Sequence, residues 1–109
     1  MSQEPQLFAT PATYFLKDRL RTLANEEFPA AARAGGYPVV FNHCFLRIVY
    51  DNLFGDQWQN KLPGGKAAIH QLSPEQLERA IYIGEAITED AELCRELNRR
   101  SLGWRGKLK

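Results

Sequence analysis

Three side chains able to grip an anion or carry a proton, His43, Arg47 and Asp51, recur at four-residue spacing. On a helix that spacing aligns them along one face. The imidazole titrates near neutral pH, the guanidinium offers a planar fork of donors, and the carboxylate is placed to orient a neighbour. Cys44 follows His43 directly, and Asn42, Tyr50 and Asn52 flank the line. His43, Cys44 and Asp51 are therefore the catalytic candidates. Asn42, Arg47, Asn52, Trp58 and Lys66 are the candidates for holding a ligand. The plainer alternative is an intrahelical ion pair, weak when exposed.

Other chemistries lack the spacing they need. Zinc takes four ligands, usually in close Cys or His pairs. Here His43 and Cys44 are adjacent, while His70 and Cys94 stand far away. Neighbours on a helix point about 100° apart, so His43 and Cys44 do not converge on one ion. A Cys44–His70 pair of the thiol-hydrolase kind has no local signature. Pro63-Gly64-Gly65-Lys66 has neither the first glycine nor the hydroxyl of a phosphate loop, and reads as a turn. No metal site and no cofactor motif follow from the sequence.

The C-terminal segment holds Arg99, Arg100, Arg105 and Lys107 around Trp104, with no acidic residue after Glu96. Such a run neutralises phosphates and stacks on a base. It equally suits a terminus pinned by Leu102 and Trp104 whose charges stay wet. A third option is contact with the acidic stretch before it, in the same chain or a partner. Seven acids oppose Arg79 and Arg95 between Leu72 and Glu96, so a net charge of +1 conceals a marked asymmetry.

The elements that must position these groups read as helices. Residues 42–54 contain no Gly or Pro, and their length favours a helix over a strand. Asn42 is the expected N-cap and Gly55 the expected left-handed stop. Phe41, Phe45, Ile48 and Asn52 then share a face, beside Val49 and Leu53. Thr10-Pro11 starts an earlier helix with Phe15 or Leu16, Leu20, Leu23 and Phe28 inside. Lys17, Asp18, Arg19, Arg21 and Glu26 take its wet side, and Pro29 is expected to end it. Ala30–Ala34 adds a short turn, closed by Gly35-Gly36. Residues 56–65 read as irregular, with one helical turn at 66–70.

Ser73-Pro74-Glu75-Gln76 is a capping box with Pro at the first helical position. Leu77, Ala80, Ile81, Gly84 and Ile87 form the stripe behind it. Thr88-Glu89-Asp90 starts a last helix carrying Ala91, Cys94 and Leu97, with Arg99 and Arg100 at its end. The expected fold is all-α, a compact bundle of four to five helices.

At 109 residues, with 44% hydrophobic and 25% charged side chains, the chain suits one globular domain. We divide it into a lead over 1–9, a helical domain over 10–101 and a basic tail over 102–109. No apolar run approaches membrane-spanning length. The opening Met1-Ser2-Gln3-Glu4-Pro5 lacks the basic and apolar segments of a signal peptide. A cytoplasmic protein with two reduced, buried cysteines is the expectation.

Asn42-His43-Cys44-Phe45, Arg47-Ile48 and Asp51-Asn52, then Trp58 and Leu72-Ser73-Pro74-Glu75-Gln76-Leu77, resemble a group of small bacterial proteins often labelled GNAT-type acetyltransferases. The similarity runs over roughly residues 37–85 and is most specific at Asn-His-Cys. It points to Asn42, His43, Arg47, Asp51 and Asn52 and assigns none of them a role. The Arg/Gln-x-x-Gly-x-Gly/Ala loop that binds acetyl-CoA in that fold has no counterpart here.

Two functions follow. One is a helical binding module for a protein partner, a second copy of itself or an anionic ligand, working through Arg47, Asp51, Trp58 and the tail. The other is a small acyl transferase or hydrolase using His43 or Cys44. Nucleic-acid binding through the tail is a further alternative.

Overall fold

The computed structural model describes residues 11–108. The N-terminal lead and the Thr10 cap lie outside them. Leu16, Leu20, Leu23 and Phe28 repeat at helical spacing, and the chain winds as α1 (Pro11–Thr22), a π-helical turn (Leu23–Glu27) and α2 (Phe28–Arg33). Leu20, Leu23 and Phe28 are sealed in the core, whereas Phe15 is exposed and Leu16 is the residue that packs.

Pro29 does not end this helix, contrary to expectation. A proline ring clashes with the carbonyl four residues back and supplies no N–H. The π turn widens the spiral just there, with the Phe28 N–H bonded to the Leu23 carbonyl five residues earlier. Pro29 then falls in the first turn of α2, where its missing donor costs nothing. Lys17 also departs from expectation, for it is covered rather than wet.

α3 (Asn42–Phe54) is the predicted helix, with a different start. Phe41, in extended conformation, is the cap residue and makes no side-chain capping bond. Asn42 is already helical, and its Nδ2 donates to Asn25 Oδ1 at 2.8 Å, tying α3 to the π turn. Phe45, Ile48 and Val49 are buried as the apolar face requires, but Phe41 turns outward and stays 65% exposed. Gly55 ends the helix at φ +70°, its N–H on the Asp51 carbonyl at 2.7 Å.

Short 3-10 turns at Trp58–Asn60 and Ala68–His70 punctuate the following loop. α4 (Pro74–Glu89) opens on the predicted capping box. Gln76 N–H donates to Ser73 Oγ at 3.1 Å, and Ser73 N–H donates to Gln76 Oε1 at 2.8 Å. All five predicted stripe residues of α4 are buried. α5 (Ala91–Trp104) is capped by Asp90, which accepts from the Glu92 and Leu93 amides. Thr88 turns back instead and donates to the Gly84 carbonyl at 2.7 Å. α5 continues past Arg100 to Trp104, so the basic segment begins inside a helix.

The molecule is an all-α bundle, without a strand among the described residues. Phe28 and Phe45 meet at its centre, 4.9 Å between ring centroids. Burying each such side chain stabilises the fold by about 1.5–3 kcal/mol. The Arg19–Glu85 bridge between α1 and α4 is half exposed and contributes about 1 kcal/mol at most, so packing holds these helices together. No described helix is long and apolar enough to cross a membrane.

Candidate functional site

α3 turns one side to the core and another to an open cleft of about 550 Å³. His43, Leu46, Arg47 and Tyr50 line it from i, i+3, i+4 and i+7, neighbours on one helical face. The α1–π rod forms the opposite wall with Leu20, Arg21, Ala24 and Asn25. Trp58, Gln59 and Ile69 come from the loop, and Arg105 from the end of α5. The floor is apolar and partly aromatic, Tyr50 meeting Trp58 edge-on at 5.9 Å. The polar groups around it include three guanidinium groups, those of Arg21, Arg47 and Arg105, and no carboxylate.

Arg47 is held by α5, whereas Arg105, just past the end of α5, is held by Asp51 of α3. Asp51, fully buried, accepts four hydrogen bonds through its two carboxylate oxygens. Oδ1 accepts from the Trp58 amide at 3.0 Å and Arg105 Nη2 at 2.9 Å. Oδ2 accepts from Arg105 Nε at 2.6 Å and Ser101 Oγ at 2.7 Å. The side-on pair neutralises the buried carboxylate, and this hydrogen bond raises the Arg105 pKa further. Arg105 Nη2 also donates to Gln59 Oε1 at 2.9 Å.

The Ser101 hydroxyl has one proton, which Asp51 takes because a carboxylate paired with Arg105 only accepts. Its oxygen is left to accept from Arg47 Nη1 at 2.7 Å. Arg47 Nη2 donates to Asn98 Oδ1 at 2.8 Å. Both acceptors are neutral, and no described carboxylate pairs with Arg47. Arg47 therefore brings a held but uncompensated positive charge to an apolar cleft.

The predicted line of His43, Arg47 and Asp51 exists on α3, yet it runs from surface to interior. His43 is exposed and stacks on Phe41 at 5.7 Å, Arg47 is half-buried, and Asp51 is sealed. Asp51 is not among the cleft-lining groups and acts through Arg105 and Ser101. Cys44 is not among the residues that line the cleft, and it is half-buried rather than buried as expected. Burial pushes the Cys94 thiol up to about 11, against the pull of Arg47 and Arg95, so it stays protonated at neutral pH.

Asn52 serves packing: its Nδ2 donates to the Ile48 and Leu97 carbonyls at 2.8 and 3.0 Å, joining α3 to α5. Asn42 holds Asn25 at the cleft's edge. Lys66 is exposed in the loop and does not line the cleft. Arg99 and Arg100 both bond Glu96, whose pKa they lower, and Lys107 is exposed. Trp58 and Arg105 do reach the cleft.

Sequence reasoning passed over Arg21, Gln59, Asn98 and Ser101. A signal existed for α5. Asn98, Ser101 and Arg105 stand at i, i+3 and i+7, a polar line on the same side as buried Cys94. Among the described residues no three His, Cys, Asp or Glu side chains gather as a metal site would need. No protein-family model, no curated protein and no solved structure matches the chain.

Proposed function

We propose that the chain is a binding module for a small anionic ligand, which enters the cleft between the α1–π rod and α3. The observation that carries this reading is Arg47, a half-buried guanidinium on an apolar floor with only neutral partners. Removing a charge from water costs free energy unless an opposite charge replaces the lost hydration. An anion at Arg47 supplies that charge, and a hydrogen bond to it contributes about 1.5–3 kcal/mol. Arg21 extends the positive rim and His43 adds a polar edge, while Tyr50, Trp58 and Leu46 offer apolar surface to the rest of the ligand. The two free cysteines fit the reduced, cytoplasmic setting this reading assumes.

The test is a titration with small organic anions, followed through Trp58 emission at low and high salt. Arg47→Met keeps the length of the side chain and removes its charge. It should weaken anion binding at least about tenfold, the equivalent of 1.4 kcal/mol. Unchanged binding in that variant rules the reading out.

A second reading is acyl transfer or hydrolysis with His43 as the base, in line with the resemblance to proteins labelled acetyltransferases. It draws on the imidazole at the cleft edge. Cys44 gives it no nucleophile there. The nucleic-acid reading is weakened by pairing, since Arg99, Arg100 and Arg105 all have carboxylate partners. Fewer free cations neutralise fewer phosphates.

A further inference from the structure

Tyr50 is 4% exposed and lines the cleft, with its ring against Trp58. A buried phenol normally finds a hydrogen-bond partner. This one has none among the described residues, and its oxygen is not sealed away from solvent. Arg21 lines the opposite wall of the same cleft. Burial raises the phenol's pKa well above its ordinary value, so at neutral pH it is an O–H donor.

The charges around this donor narrow the ligand. Arg105 is neutralised by Asp51. Arg21 shares its charge with Asp18 at 3.4 Å on the exposed side of α1. Arg47 alone among the three has no carboxylate partner. One uncompensated guanidinium beside a neutral hydroxyl matches a singly charged, planar group. A phosphomonoester, carrying nearly two charges and three terminal oxygens, would stay short of cations. The apolar floor and a volume of about 550 Å³ then call for a substantial hydrocarbon body.

Resting on the anion-binding reading above, we propose that the ligand is a carboxylic acid with an aromatic or medium-chain aliphatic body. Its carboxylate takes hydrogen bonds from Arg47 and the Tyr50 hydroxyl, and its body lies along Trp58. Tyr50 thereby adds a neutral donor to the one uncompensated guanidinium, and it is this combination that favours a singly charged carboxylate over a phosphate.

The test uses the full chain carrying Trp104→Phe, which leaves Trp58 as the remaining tryptophan. The probes are 4-phenylbutyrate, octanoate, phenyl phosphate and octanol. Both carboxylates should shift Trp58 emission saturably, with phenyl phosphate and octanol at least tenfold weaker. Tyr50→Phe removes a hydroxyl that has no protein partner, so its melting temperature should not fall. Its Kd for the carboxylates should rise roughly tenfold, as loss of a hydrogen bond to a charged group implies. Tighter binding of phenyl phosphate than of 4-phenylbutyrate overturns the carboxylate assignment. So does an unchanged Kd in Tyr50→Phe, and if Arg47→Met still abolishes binding, the anion-binding reading survives that failure. If none of the anions binds, both fall together.

Discussion

Arg105 closes side-on over Asp51, its Nε and Nη2 lying 2.6 and 2.9 Å from the two carboxylate oxygens. Asp51 belongs to the fully buried face of α3, while Arg105 follows the last residue of α5. The contact locks the end of the chain against its central helix. It also fixes one wall of the cleft, because the same guanidinium reaches Gln59.

Asp51→Asn should lower stability by about 3 kcal/mol, because removing one partner leaves the other charge without compensation in a poorly hydrated place. Urea unfolding measures the loss. Adding Arg105→Gln should recover part of it, so the two substitutions will be less than additive. Strict additivity would mean that the pair contributes no coupling.

Ser101→Ala deprives Arg47 of an acceptor and Asp51 of a donor at once. We expect a loss of about 1–3 kcal/mol, the range for leaving a buried polar group unsatisfied. Anion affinity should fall as well, since Arg47 then keeps Asn98 as its anchor and gains freedom to move. A variant that loses stability yet binds anions as before would show that Arg47 needs no such support.

Stability should decline in alkali from about pH 9. The Cys94 thiol ionises near 9 in its ordinary state and near 11 in the fold, where burial disfavours the thiolate. Below pH 9 both states hold the proton and its contribution is complete. Between 9 and 11 the unfolded chain releases that proton first, so unfolding gains and stability falls. Tyr50, also raised by burial, adds to the decline above pH 10. Urea midpoints at pH 7, 9 and 10.5 test this, and Cys94→Ala should flatten the slope between 9 and 10.5. Iodoacetamide at pH 8 should correspondingly label half-buried Cys44 well before Cys94.

Gly84→Ala should destabilise despite the better helix propensity of alanine. An added Cβ would stand 2.7 Å from Cζ at the edge of the Phe45 ring, which is itself fully buried against Phe28. Overpacking of this kind costs about 1–3 kcal/mol, against a gain of about 1 kcal/mol from propensity. A melting temperature above that of the wild type would mean that Phe45 has room to give way.

The helices and most of their buried faces were legible in short stretches of the chain. Ser73-Pro74 with Gln76, Asp90 before Ala91 and Gly55 after Phe54 are local signals, each completed within a few residues of backbone. The α4 stripe is likewise a matter of spacing alone. Where two local rules competed, tertiary packing chose. Pro29 is compatible with a stop or a widened turn, and the burial of Phe28 against Phe45 accompanies the turn. Asn42 is equally good as a cap or as a partner for Asn25, and it took the partner.

The site depends on contacts between helices that are distant along the chain. Asp51 and Arg105 are 54 residues apart, and Arg47 meets Asn98 and Ser101 across a similar separation. Spacing along α3 could align His43, Arg47 and Asp51 on one side of a helix. It could not say that this side slopes from solvent into the α3–α5 contact, which is what leaves one carboxylate buried and neutralised and one guanidinium without a counter-charge. Periodicity fixes the face a residue occupies, whereas its electrostatic state depends on which other helix packs there.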